Sequence, residues 1–289
     1  MNQPPSQENI ALWAQHAGLP LPETALAPLS AYLSLLMQWN RVMNLVGTHN
    51  AEETFSTLIV DSLHLAAFLE QEWSQLPALA QLRGAPTCWD LGSGAGLPGI
   101  PLRCIWQRGT YWLVEAREKR ALFLSTVLAR VPLPGTHVFR GRAEAFMAQA
   151  LQAAAAPNAS PGAAPNAASA LSTASTASAP ATPPATDAAS APTTDRPPRL
   201  PAAKAAPRPA DLVVSRAFMP WPAVLELVRP GLNPGGVVIF LLRRNLTADP
   251  LWAQQTGRWH ILAEYSYPVG KTLRWLCAAA PAGTGTSLP

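Results

Sequence analysis

Apolar residues recur at helical spacing through the first part of the chain and at strand spacing after it. Ala31, Leu35, Leu36, Trp39, Val42 and Met43 fall on one stripe, and Ile59, Leu63, Ala66 and Ala67 on a second, as residues three and four apart share a helix face. This predicts an N-terminal helical region over residues 1–80. Asp61, Ser62 and His64 interrupt the second stripe, marking either a polar contact or an exposed face. Beyond Ala85, short apolar runs alternate with helical stretches, the pattern of an α/β fold with a mostly parallel sheet. Seven strands are predicted, at Thr87–Leu91, Tyr111–Glu115, His137–Gly141, Asp211–Ser215, Val237–Leu242, His260–Tyr265 and Thr272–Ala279. No helical stretch separates the last two, so an antiparallel hairpin is expected at one end of the sheet. Asn233 to Gly236 reads as a turn before the fifth strand.

One tract breaks the pattern. Residues 147–209 are almost wholly Ala, Pro, Ser and Thr, too poor in large apolar groups to offset the entropy of ordering. They are expected to form a disordered insertion between the third and fourth strands of a domain spanning 81–289. Loop-closure entropy grows slowly with length, so the sheet tolerates it there. Its basic end, "RPPRLPAAKAAPRP", reads as a passive linker.

With 289 residues, 48% of them hydrophobic, the chain can bury a large core. The start, "MNQPPSQENI", has no basic or apolar signal region, and no apolar run approaches spanning length. A cytoplasmic monomer with no membrane partner is expected. Cys88, Cys104 and Cys277 are odd in number and unpaired in spacing, which suggests neither disulfide nor metal site; they read as small buried hydrophobes. The net charge is +4 and the pI about 9.2. Between Arg103 and Glu144, eight basic residues (Arg103, Arg108, Arg117, Lys119, Arg120, Arg130, Arg140, Arg142) stand against three acidic ones. Such a surface suits RNA, although a solvated face of Arg-rich helices gives the same count.

The most informative stretch is "DLGSGAGLPGIP", Asp90 to Pro101. From Gly92 its glycines read G-x-G-x-G, the loop of S-adenosylmethionine enzymes; from Gly94 they read G-x-G-x-x-G, the dinucleotide fingerprint. Either way a strand ends at the loop and a helix begins after it, facing backbone N–H groups toward a ligand. Asp90, directly before the glycines Gly92, Gly94 and Gly96, would repel a pyrophosphate but suit an ammonium or sulfonium. Glu115 ends the second strand 25 positions later, where a carboxylate accepts ribose hydroxyls in both ligand classes. Pro98 is tolerated in a first helical turn.

Several blocks then carry a resemblance: "MQWNRVMNLVGT" (Met37 to Thr48), "IVDSL" (Ile59 to Leu63), "DLGSGAGLPGIPL", "VEAREKRALFL" (Val114 to Leu124), "GRAEAF" (Gly141 to Phe146) and "DLVVSRAF" (Asp211 to Phe218). In this order they resemble the RsmG (GidB) family of bacterial small-subunit rRNA guanine-N7 methyltransferases. The resemblance implies a class I S-adenosylmethionine-dependent methyltransferase, with a Rossmann-like, seven-stranded, mostly parallel sheet. It implies methylation at N7 of a guanine in the 530-loop region of 16S rRNA, with the small ribosomal subunit as partner. Carried over by position, it implies cofactor contacts at Gly92, Leu97, Ala143, Glu144 and Arg216, the last also catalytic. Glu115 stands where the family has Asp, and Ala116 where it has Ser. Thr57–Leu58 replaces the family's R-H, and Arg243 and Arg244 replace a Lys after the fifth strand. The long insertion is not a family feature.

The chemistry agrees by what is missing. No cysteine nucleophile follows the fourth or sixth strand, as C5 methylation of a pyrimidine would need. "SRAFMPW" stands where amine methylases carry a D/N-P-P-Y/F clamp. Guanine N7 holds a free lone pair and needs no general base, so positioning and electrostatics suffice. Arg216 either binds guanine or the cofactor carboxylate or forms a structural ion pair, and Phe218 and Trp221 are candidates for stacking on a base or for core packing. His64 and His137 receive no role. An NAD-dependent oxidoreductase and an RNA-binding homologue without activity remain as rival readings. Deleting Ala154 to Pro207 is expected to leave folding and activity near normal; a collapse in solubility would show that the tract is not passive.

Overall fold

Successive side chains on a strand point to opposite faces, and here that alternation divides a single sheet between two cores. The computed structural model describes residues 4–71, 85–155, 206–255 and 257–283. Its strands are β1 Thr87–Leu91, β2 Thr110–Glu115, β3 Thr136–Arg140, β4 Ala210–Arg216, β5 Leu232–Leu242, β6 Trp259–Val269 and β7 Thr272–Pro281. They lie in the order β3-β2-β1-β4-β5-β7-β6. The first five strands pair in parallel, whereas β7 is antiparallel to both β5 and β6. The sheet is therefore mixed, and the expected hairpin closes one edge.

On β1, Cys88 joins one core while Trp89 and Leu91 join the other. The first core lies under the N-terminal helices α1 Gln7–His16, α2 Glu23–Met43, α3 Ala51–Thr54 and α4 Val60–Gln71, the last two joined through a π turn at Phe55–Ile59. Ser6 starts α1 with a reciprocal capping box to Asn9, and the Asn50 side chain caps α3 by accepting from the Glu53 N–H, each satisfying amides that a helix start leaves free. Leu29, Leu33 and Leu36 of α2 share this core with Tyr111, Leu113, Val214 and Ile239 of the sheet and with α5 Gly99–Ile105 and α6 Glu118–Arg130. The opposite face is covered by α7 Ala143–Ala155 and α8 Trp221–Val228. All three cysteines are free and buried.

Three sequence expectations are corrected. Met147, read as the start of the insertion, is 7% exposed and packs in the second core within α7, which runs on to Ala155. Pro207, at the other end, is also buried, so the deletion above is better confined to residues between 156 and 205. Those residues lie outside the described ones, and so does the expectation of disorder for them. Asn233 to Gly236 is not a turn before β5 but part of it. The register steps from Ala210–Leu232 to Leu212–Val237, so Asp211 alone on β4 opposes Asn233 to Gly236 on β5. This is a bulge, made possible by Gly235 at φ +79°.

Arg103, counted with the basic face, is 0% exposed. Its guanidinium donates to the carbonyl oxygens of Trp106 (3.1 Å), Arg108 (2.7 Å) and Pro134 (2.6 Å) and to Thr136 Oγ1 (3.1 Å). It gathers the α5–β2 and α6–β3 connections, and the apolar sequence around it gave no sign of that. Arg108 and Arg140 are paired with Glu70 and Glu118, while Arg117, Lys119, Arg130 and Arg142 remain exposed. Among the described residues, no helix is long and apolar enough to cross a membrane.

Replacing Arg103 by Met strands several buried carbonyls at a cost of about 1–3 kcal/mol each. Urea unfolding should show a loss of about 3 kcal/mol or more, with Arg103→Lys recovering only part of it, because one ammonium cannot span these acceptors.

Candidate functional site

Strand order reverses direction between β1 and β4, and in open α/β sheets the crevice at the carboxyl ends of such a pair is where ligands bind. The residues singled out from the sequence collect along this rim. Gly92 to Leu97 follow β1, Glu115 ends β2, Ala143 and Glu144 open α7 just after β3, and Arg216 ends β4. Asp90 is in register with Val214, so Gly92 and Arg216, each two residues further on, leave the sheet side by side.

The loop turns through three glycines with positive φ, at +72° for Gly92, +57° for Gly94 and +85° for Gly96, a region closed to most side chains. The N–H groups of Gly92 and Ser93 donate to the Val114 carbonyl at 2.9 and 3.1 Å. A Cβ on Gly92 would overlap the Phe218 ring, and one on Gly96 would overlap Ile100. Gly94 differs: a Cβ there would meet only Arg120 Nη1 at 3.6 Å and the Gly92 carbonyl at 3.8 Å, so the crest of the loop is open. Its N–H donates to Glu115 Oε2 at 2.8 Å, while Glu115 Oε1 accepts from the Arg117 N–H at 2.8 Å. Glu115, 5% exposed, latches the crest to the end of β2 and keeps lone pairs for further donors.

Asp90 does something other than face a cation across the loop. It is 1% exposed, on the face of the first core, and its Oδ2 accepts from the Gly99 N–H at 3.1 Å. A Cβ on Gly99 would overlap that oxygen and stand 2.6 Å from Leu113 Cδ2. Gly99 therefore allows α5 to start directly on the carboxylate. Burial pushes the Asp90 carboxyl up to about 7, against the opposing pull of the Gly99 N–H and of Arg216. From the N-terminal side, Tyr32 donates to the Ala95 carbonyl at 2.9 Å, tying α2 to the loop. Leu97 packs into the first core at 6% exposure and Ala143 into the second at 5%, while Glu144 is exposed.

Arg216 meets a partner that sequence reasoning left unassigned. Its Nη2 lies 3.1 Å from Asp61 Oδ2. The same oxygen accepts from Arg274 Nη1, and Asp61 Oδ1 accepts from the Tyr267 hydroxyl at 3.1 Å. Burial raises the Asp61 carboxyl, with both arginines and the hydroxyl pulling the other way. Asp61, Ser62 and His64 are all buried, so the interruption of the apolar stripe was a polar contact. That interruption and the "IVDSL" block were the signals in the sequence. His64 stacks on Tyr267 with ring centroids 4.1 Å apart, and burial lowers it to about 4, so it is neutral near pH 7. Trp221 and Phe218 separate: Trp221 is 8% exposed, packs in the second core and donates to Asp249 Oδ2 at 3.1 Å, while Phe218 is half-buried over Gly92.

The GidB family profile, rRNA small subunit methyltransferase G, matches residues 25–156. A ribosomal RNA small subunit methyltransferase G of Nitratidesulfovibrio vulgaris is 43% identical over 262 residues, covering 91% of this chain and 88% of the relative. The chain belongs to this family. The methyltransferase G of Lawsonia intracellularis is 36% identical over 93% of each chain, and that of Oleidesulfovibrio alaskensis is 34% identical over 96% of this chain and 94% of its own. The match thus extends over most of the length of each of these relatives.

The buried carboxyl on β1 generates a prediction about pH. With a folded pKa near 7 and an unfolded one near 3.9, the native state binds the proton more tightly. Its contribution favours folding most below about pH 4 and is lost as pH rises through about 7. Asp90→Asn keeps an acceptor for Gly99 and removes the titration. Urea unfolding from about pH 5 to 8 should show a flatter slope in the variant, and equal slopes would contradict the assignment.

Proposed function

We propose that this protein is a class I methyltransferase that transfers a methyl group from S-adenosylmethionine to N7 of a guanine in 16S rRNA of the small ribosomal subunit. The observation that carries the reading is the rim itself: a glycine loop with an open crest, a carboxylate at the end of β2 and an arginine at the end of β4, around one switch point in a member of this family. The donor set fits such a cofactor. The positive-φ loop leaves space at Gly94, and Glu115 has lone pairs left for ribose hydroxyls. We assign cofactor binding to Gly92, Gly94, Gly96, Leu97, Glu115, Ala143, Glu144 and Arg216, with Asp90 shaping the loop from beneath.

When bound, S-adenosylmethionine supplies an electrophilic methyl group on a sulfonium centre. Guanine N7 presents a lone pair and no proton, so no residue has to act as a base. The work left to the protein is positioning, which can supply a large part of such a barrier. The loop fixes one reactant through its backbone, with Phe218 closing over Gly92. Arg216, 20% exposed, is assigned to hold the cofactor carboxylate beside the reacting centre. The exposed Arg117, Lys119 and Arg142 offer sequence-independent contacts to RNA phosphates.

Purified protein should methylate small-subunit RNA or intact subunits with labelled S-adenosylmethionine, the product being read as N7-methylguanosine by chemical cleavage. Gly92→Asp should abolish cofactor binding in calorimetry, because its side chain has no room beneath Phe218. Binding of NADH without S-adenosylmethionine would overturn the reading.

A further inference from the structure

At the end of β4 one carboxylate serves two guanidinium groups and a phenol. Asp61 comes from α4, Arg216 from β4, Tyr267 from β6 and Arg274 from β7; the first two are 155 positions apart by their residue numbers. Asp61 is 1% exposed, whereas the Arg216 and Arg274 side chains keep 20% and 21% of their surface. The acceptor is thus sealed inside while both cations reach toward the rim. Only one nitrogen of Arg216 is bound to Asp61, and a guanidinium carries five N–H groups. Its remaining donors are free of that carboxylate, and one negative charge against two positive ones leaves an excess that favours an anionic group. Arginine is a flexible side chain whose freedom must be given up when it binds. A fixed partner removes that freedom before the ligand arrives.

We propose that Asp61 is a positioning residue for Arg216, and that the N-terminal helices are through it a working part of the methyl-transfer site. This rests on the reading of Arg216 as a cofactor contact. A second tie from the same region acts on the other side of the crevice, where Tyr32 holds the loop at Ala95. The helices therefore grip both walls, the β1 loop and the end of β4. The family match begins at residue 25, so both gripping residues fall within it.

The test uses the full-length protein, with cofactor affinity from calorimetry, kcat and KM for small-subunit RNA, and thermal melting on each variant. Arg216→Met should weaken cofactor binding at least about tenfold, the range for a charged hydrogen bond; an unchanged Kd means the Arg216 reading itself has failed. Given that loss, Asp61→Asn should also raise the cofactor Kd about tenfold, with a smaller change in KM for RNA. The double variant should be no worse than Arg216→Met alone, since residues acting through one contact are not additive. Arg103→Met is the comparison for instability: it should lower the melting temperature and leave the Kd as it was. Losses for Asp61→Asn and Arg216→Met that simply add, or an Asp61→Asn that melts lower with an unchanged Kd, would overturn the proposal. If Asp61→Asn does not fold, Tyr267→Phe removes one hydrogen bond from the same carboxylate. It should raise the Kd about threefold, and no change there would overturn the proposal equally.

Discussion

A sheet whose central strands are parallel and apolar on both sides has to be covered on both sides, since neither face can be left in water. The rest of the molecule follows from how that is done. One face is closed by α7, which follows β3, and by α8, which joins β4 to β5. The other is closed by α5 and α6 together with helices that precede the first strand, and these bury Leu29, Leu33 and Leu36 in the same core as Leu113 and Val214. With both faces closed, the carboxyl ends of the strands are the open side, and that is where the loop, Glu115 and Arg216 emerge.

Two-residue alternation then assigns each polar side chain near that edge. Asp90 lies on the face of the first core, opposite Trp89 and Leu91, so its carboxyl is buried and engages the Gly99 amide. Glu115, at the very end of its strand, bends to the Gly94 and Arg117 amides. The carboxylates thus divide the labour: one anchors the helix after the loop, one holds the crest, and Asp61 restrains the arginine across the crevice. Each accepts donors that would otherwise be unpaired in a region of low dielectric, where a missing partner is costly.

Much of this arrangement was legible beforehand. Seven strands, the closing hairpin and the loop all followed from periods of two and 3.6 and from glycine spacing. Boundaries were less accurate where composition misled. The alanines after Met147 read as insertion, yet Phe146, Met147 and Ala150 give α7 a buried stripe. Asn-Pro-Gly-Gly read as a turn because its residues favour turns, but β4 lies alongside and turns it into a bulge.

By itself the sequence determined the kind of fold, the loop and the family, because these rest on local periodicity and on residues close together along the chain. Only the tertiary structure decided what Arg103, Asp90 and Asp61 do. Arg103 looked like one more surface cation until connections from two other elements closed on it. Asp61 was an anomaly in an apolar stripe until β4 and β7 brought two arginines to it. A charge acquires its role from the charges and donors around it, and for Asp61 those come from strands more than a hundred residues away.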